Sequence, residues 1–148
     1  MQDLKLTLVS RYYDELCNGR NLKVADEIIA AGHRYHDPSH RGTADGPDGI
    51  KQVTATYHQA YPDARWTVEE IVATGDTVVV RWTGRGTHEG QLGAMAPTGR
   101  RVEVPGICMF RITEGKIAES WNYWDTYGMM AQLGAVPPLG GSTAKAAG

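Results

Sequence analysis

The sequence predicts an α+β fold, a cone-shaped barrel in which a curved antiparallel sheet wraps around N-terminal helices. Three observations predict it. Apolar residues recur at helical spacing as far as Tyr61-Pro62-Asp63, and beyond that tripeptide the period falls to two over four successive runs. Helices followed by a run of strands leave the helices to cover one face of an antiparallel sheet. The length of 148 residues suits one hydrophobic core and leaves no room for a second.

Leu4, Leu6, Leu8, Val9, Tyr12, Tyr13 and Leu16 mark a first helix that Asn18-Gly19 ends. A second, shorter helix is expected over Leu22 to Ala31, with Val24, Ala25, Ile28 and Ile29 as its apolar stripe and Gly32 as its stop. His33 to Pro38 reads as a brief strand broken by proline, which delivers His36 and Asp37 to a loop. A third helix follows near Gly49 to Tyr61, with Ile50, Val53, Tyr57 and Ala60 on one side. The alternating runs Ala64 to Thr74, Thr77 to Thr87, Arg101 to Thr113 and Lys116 to Thr126 are four strands joined by Gly75-Asp76, a longer link around Glu89 to Gly99, and Glu114-Gly115. A short helix near Gly128 to Gln132 ends the domain at residue 135. The stretch 136–148, rich in Pro, Gly and small residues, is expected to be a flexible tail.

Composition narrows the function. Fifteen basic and 17 acidic residues give a net charge of -2 without long runs of either sign, which argues against nucleic acid as a partner. No apolar run approaches about 18 residues, so no membrane association is expected, and the chain reads as cytoplasmic. Cys17 and Cys108 read as two buried thiols rather than a bridge. The five histidines lack close metal-ligand spacing, and no metal is expected. Nucleophile elbows and phosphate-binding glycine loops are absent from the sequence. A sheet curled around helices encloses an apolar cone with an open mouth, a site for a hydrophobic small molecule.

Asp125 is the residue to explain. Strict alternation from the Glu114-Gly115 turn puts Ile117, Glu119, Trp121, Tyr123 and Asp125 on one face. A carboxyl that ends a row holding two aromatics is either desolvated, and thereby poised to take and give a proton, or it only N-caps the helix that follows or ends its strand at the surface. His36 and Asp37 point to opposite faces of their strand, so one of them faces the cavity. His88, at a strand end, either orients a substrate or caps the adjoining loop.

The segments Gly86-Thr87-His88-x-Gly90, Pro97-Thr98-Gly99-Arg100, Gly115-Lys116-Ile117-x-Glu119-x-Trp121-x-x-x-Asp125 and Gln132-Leu133-Gly134 together resemble the SnoaL-like polyketide cyclases of the NTF2-like superfamily. The resemblance covers about residues 4 to 135. It implies an intramolecular aldol-type closure of a polyketide ester, or of a related carbonyl compound, with no metal and no cofactor. Asp125 matches the family's acid/base aspartate, and His36 is the best match to a histidine near the substrate. Tyr12, Trp82, Met109, Trp121 and Tyr123 would then hold the flat substrate, together with Asp37 and His88. A homodimer or higher homo-oligomer is also implied. Asp37-Pro38 resembles the position of the base in ketosteroid isomerases, which leaves open an isomerase that uses Asp37. A hydrophobic-ligand-binding module without chemistry is the remaining alternative.

Overall fold

The computed structural model describes residues 2–140; residues 141–148 of the expected tail lie outside the described residues. Helix α1 (Gln2–Arg11) runs directly into a π-helical stretch, Tyr12–Asn18, where the sequence predicts one uniform helix. The wider turn buries the adjacent Tyr12 and Tyr13 together with Leu16 and Cys17, a local geometry that recurs at functional sites. Tyr12, Tyr13 and Phe110 meet edge to face, with ring centroids 5.1 to 6.1 Å apart.

Helix α2 is only Val24–Ile28, because the chain turns extended at Ile29 and begins β1 (Ile29–His36) four residues earlier than predicted. The partner of β1 is the last strand: Ile29 lies opposite Ile117 and His36 opposite Trp121. A single 3-10 turn, Pro38–His40, leads to α3 (Pro47–Ala60), which Pro47 opens at a position where its missing N–H costs nothing. Four strands follow close to their predicted limits: β2 (Arg65–Thr74), β3 (Thr77–Thr87), β4 (Arg101–Thr113) and β5 (Lys116–Trp124). Helix α4 (Thr126–Gln132) packs on β4.

The sheet order is β1-β5-β4-β3-β2. The β2 to β5 meander is antiparallel as expected, while β1 joins it in parallel to β5. Inward residues of β3 and β4 alternate strictly. Val78, Val80 and Trp82 face Phe110, Cys108 and Gly106 across the ladder, and all six are buried. Gly106 is required here, since a Cβ at that position would lie 2.2 Å from the Trp82 ring and 2.9 Å from Trp124 Cβ.

Two register shifts curl the sheet. One lies in the β2–β3 ladder between Val68 and Glu70. The other decides the site: Ile112 pairs with Ile117, but Arg111 pairs with Glu119, so Ala118 is an extra residue in β5. One extra residue moves every later side chain to the opposite face. Ser120, Asn122 and Trp124 therefore turn inward, and Glu119, Trp121 and Tyr123 turn outward.

Candidate active site

The cone encloses a cavity walled by Tyr12, Tyr13 and Cys17 from the π-helical stretch, Tyr57 and Tyr61 at the end of α3, Trp66, Trp82, Val102, Val104 and Cys108 from the sheet, and Met129 from α4. Thr54, Arg65 and Arg85 also line it, and one hydrogen-bonded polar cluster stands in its wall. Asp37, Tyr35, Asn122 and Trp124 lie there, and β1 brings Asp37 in because His33, Tyr35 and Asp37 share its inward row. Proline after Asp37 holds that residue extended, with φ -148 and ψ 118, and starts the 3-10 turn at the same point.

Asp37 is 5% exposed and accepts three hydrogen bonds. Tyr35 Oη and Trp124 Nε1 donate to its Oδ2 at 3.0 and 3.1 Å, and the Ser39 N–H donates to Oδ1 at 2.8 Å. A carboxylate offers about four acceptor sites, so Oδ1 keeps room for one further proton. Behind this group runs a directed chain: Trp82 Nε1 donates to Asn122 Oδ1 at 3.2 Å, and Asn122 Nδ2 donates to Tyr35 Oη at 3.0 Å. Burial pushes the Tyr35 hydroxyl well above the usual tyrosine range. Tyr35 therefore stays protonated and keeps its hydrogen on Asp37.

Tyr57, on the cavity wall, contacts His40 Nε2 through its hydroxyl at 2.7 Å. Burial raises Tyr57, with the Asp37 charge adding to the effect, and lowers His40, with Asp37 opposing. Cys17 and Cys108 are both buried, and burial raises both thiols. They are neutral wall residues rather than nucleophiles. Tyr61 is pushed up to about 12 by burial.

Of the residues singled out from the sequence, Tyr12, Asp37 and Trp82 line the cavity. The others lie elsewhere. Asp125 is exposed, accepts from the Gly128 N–H at 2.8 Å and caps α4, which is the capping placement its sequence context allowed. Trp121 and Tyr123 face outward because the extra residue at Ala118 reverses the alternation. Met109 faces outward too: it sits opposite Val79, which alternates with the inward Val78 and Val80. His36 shares that outer face. It stacks on Trp121 with centroids 5.2 Å apart and bonds Glu119 Oε2 at 2.6 Å, while the Arg111 guanidinium lies 5.0 Å from the centroid of the same Trp121 ring. His88 is fully buried and clamps the long link, its Nδ1 accepting from the Thr98 N–H at 3.1 Å. Tyr35, Tyr57, Asn122 and Trp124 were not singled out as wall residues. For Tyr35, the parity it shares with Asp37 was the available signal.

Among the described residues, no group of three or more His, Cys, Asp or Glu side chains is arranged to hold a metal ion, and no helix is long and apolar enough to cross a membrane.

Comparison with known proteins gives the family and the fold. The sequence pattern of the SnoaL-like polyketide cyclases matches residues 7–133, and the chain belongs to that family. It is 29% identical over 135 residues to the aklanonic acid methyl ester cyclase DauD of Streptomyces sp. (strain C5), a match that covers 88% of this chain and 81% of that protein. The corresponding cyclase DnrD of Streptomyces peucetius is 28% identical over 135 residues, covering 88% of this chain and 90% of the relative. Wild-type IdmH from Streptomyces antibioticus superposes with a TM-score of 0.77 at 32% identity, over 88% of this chain and 98% of that one. TsrD from Streptomyces laurentii shares the fold with a TM-score of 0.82 at 24% identity, over 92% and 98% of the two chains.

Proposed function

We propose that this protein closes a ring in a polyketide ester or related carbonyl compound by an intramolecular aldol-type reaction in which Asp37 carries the proton. One observation carries the reading: among the described residues, Asp37 is the only carboxylate on the cavity wall, and it is buried there with three fixed donors. In this role Asp37 removes the proton from the carbon next to the ester, and the enolate carbon attacks a second carbonyl. Trp66, Trp82, Trp124 and Tyr12 supply faces and edges for a flat substrate. The donors around Asp37 hold its carboxyl in place, so the reacting carbon meets a base that needs no reorientation.

The names of the two Streptomyces relatives make aklanonic acid methyl ester the first compound to offer. Asp37→Asn should keep the fold and the affinity for substrate while turnover falls at least about 100-fold, the scale of general acid/base groups. Undiminished turnover would refute the assignment. A second reading gives the role to Asp125, on its match to the family's acid/base aspartate and its place directly after Trp124 of the cavity wall. Asp125→Asn would then show the large loss and Asp37→Asn would not. The proposal extends to self-association through the outer sheet face, where Ile107 and Tyr123 are 50% and 55% exposed. Sedimentation as a monomer at micromolar concentration would contradict that part.

A further inference from the structure

A base alone leaves the reaction unfinished, because the carbonyl under attack becomes an alkoxide that needs a proton. We propose that Tyr57 supplies that proton and that His40 positions and resupplies the Tyr57 hydroxyl from behind. The inference rests on the cyclase reading above and completes the site that reading uses.

The placement supports it. Tyr57 lines the cavity from α3, and its ring stands edge-on to Trp124 with centroids 5.6 Å apart and an interplanar angle of 89°. Trp124 in turn donates to Asp37 Oδ2. One aromatic side chain thus separates the carboxylate from the phenol, and both groups border the same cavity. His40 reaches Tyr57 Oη with Nε2 at 2.7 Å, and the two rings stand at 82°. His40 is set by the same turn that sets Asp37: its N–H donates to Asp37 O at 2.9 Å, and Thr43 Oγ1 donates to His40 O at 2.6 Å. The hydroxyl of Tyr35 cannot serve instead, since its hydrogen is held by Asp37. With His40 in the tautomer that carries hydrogen on Nε2, the imidazole donates to Tyr57 Oη and the Tyr57 O–H is free to turn into the cavity.

The step balances without a further reagent. The C–H pair left by the proton that Asp37 takes becomes the new C–C bond. The π pair of the attacked carbonyl moves to its oxygen, which takes the Tyr57 hydrogen. The phenolate then takes hydrogen from His40 Nε2 as Nδ1 takes one from water, and Asp37 returns its proton to solvent.

Acetylnaphthalene, a flat aromatic methyl ketone, tests this without the natural substrate. Its carbonyl stands for the one under attack and should accept from Tyr57, and its methyl hydrogens exchange for deuterium in heavy water when Asp37 takes a proton, a loss that proton NMR follows. Isopropenylnaphthalene, with CH₂ in place of the carbonyl oxygen, reports shape-only binding through tryptophan fluorescence. The wild-type protein should exchange the ketone and bind it about fivefold more tightly than the alkene. Tyr57→Phe should keep its affinity for the alkene and lose the ketone preference. His40→Leu should lose that preference to a similar degree, and His40→Gln, whose amide N–H can stand near the Nε2 position, should recover most of it. Asp37→Asn should stop exchange yet keep the ketone preference. An unchanged ketone preference in Tyr57→Phe would overturn the inference while leaving Asp37 as the base. Full exchange by Asp37→Asn alongside loss of the ketone preference in Tyr57→Phe would instead overturn the base and support the donor. A wild-type protein that neither binds nor exchanges the ketone overturns both.

Discussion

Acidification should cost this protein stability through His33 in a window set by burial. His33 belongs to the inward row of β1, is fully buried, and meets Ser120 Oγ through Nε2 at 2.8 Å; its Nδ1 has no partner among the described residues. Desolvation lowers its pKa from 6.5 to about 4, against weaker opposing pulls from Glu119 and Asp45. The folded state therefore holds the neutral ring, and the unfolded chain takes up the proton first as the pH falls. Stability is full above the unfolded value near 6.5 and drains away as the pH drops toward about 4. At about 1.4 kcal/mol per pH unit, that fall corresponds to about 3 kcal/mol. Urea unfolding at a series of pH values should show the loss in the wild type. His33→Gln, which has nothing to titrate there, should lose about 3 kcal/mol less across the same window. Equal losses in the two proteins would show that His33 is hydrated in the folded state and that the inward row His33, Tyr35, Asp37 is wrongly placed.

Gly106→Ala forces a methyl against the Trp82 ring and Trp124 Cβ, so the denaturation midpoint should correspond to a loss of about 1–3 kcal/mol and cavity binding should weaken; an unchanged midpoint would contradict the packing. Asp125→Ala removes the cap on α4 and should cost about 1 kcal/mol, whereas Asp125→Asn should stay within a few tenths of wild type in thermal unfolding. Trp66, Trp82 and Trp124 line the cavity and Trp121 does not. Trp121→Phe should therefore retain the fluorescence change on binding an aromatic ligand, and Trp124→Phe should reduce it.

Much of the fold was legible because its signals are local. The Gly75-Asp76 and Glu114-Gly115 turns and the two-residue period set β2 to β5 almost to the residue. The helical stripe of Ile50, Val53, Tyr57 and Ala60 located α3. What could not be read depends on distant partners. β1 pairs with a strand more than 80 positions later, Tyr35 with Ser120, and no periodicity announces a parallel edge. The π-helical stretch at Tyr12 leaves the apolar pattern unchanged, so it too was invisible.

The site was half legible for one specific reason. Alternation counted forward from Ile117 is sound only in a regular strand, and the single extra residue at Ala118 reverses it. Trp121, Tyr123 and Asp125 were thereby read onto the cavity wall, while Asn122 and Trp124 went unread. Asp37 escaped that error because its own strand places it, and Trp82 because the β3–β4 ladder has no such shift.

The most direct test of the proposed ring closure offers the ester substrate named above to wild type, Asp37→Asn and Asp125→Asn at matched folded concentration. Asp37→Asn should lose at least about 100-fold in turnover, and Asp125→Asn should stay near wild type. The reverse order would contradict the role of Asp37 and give the proton to Asp125.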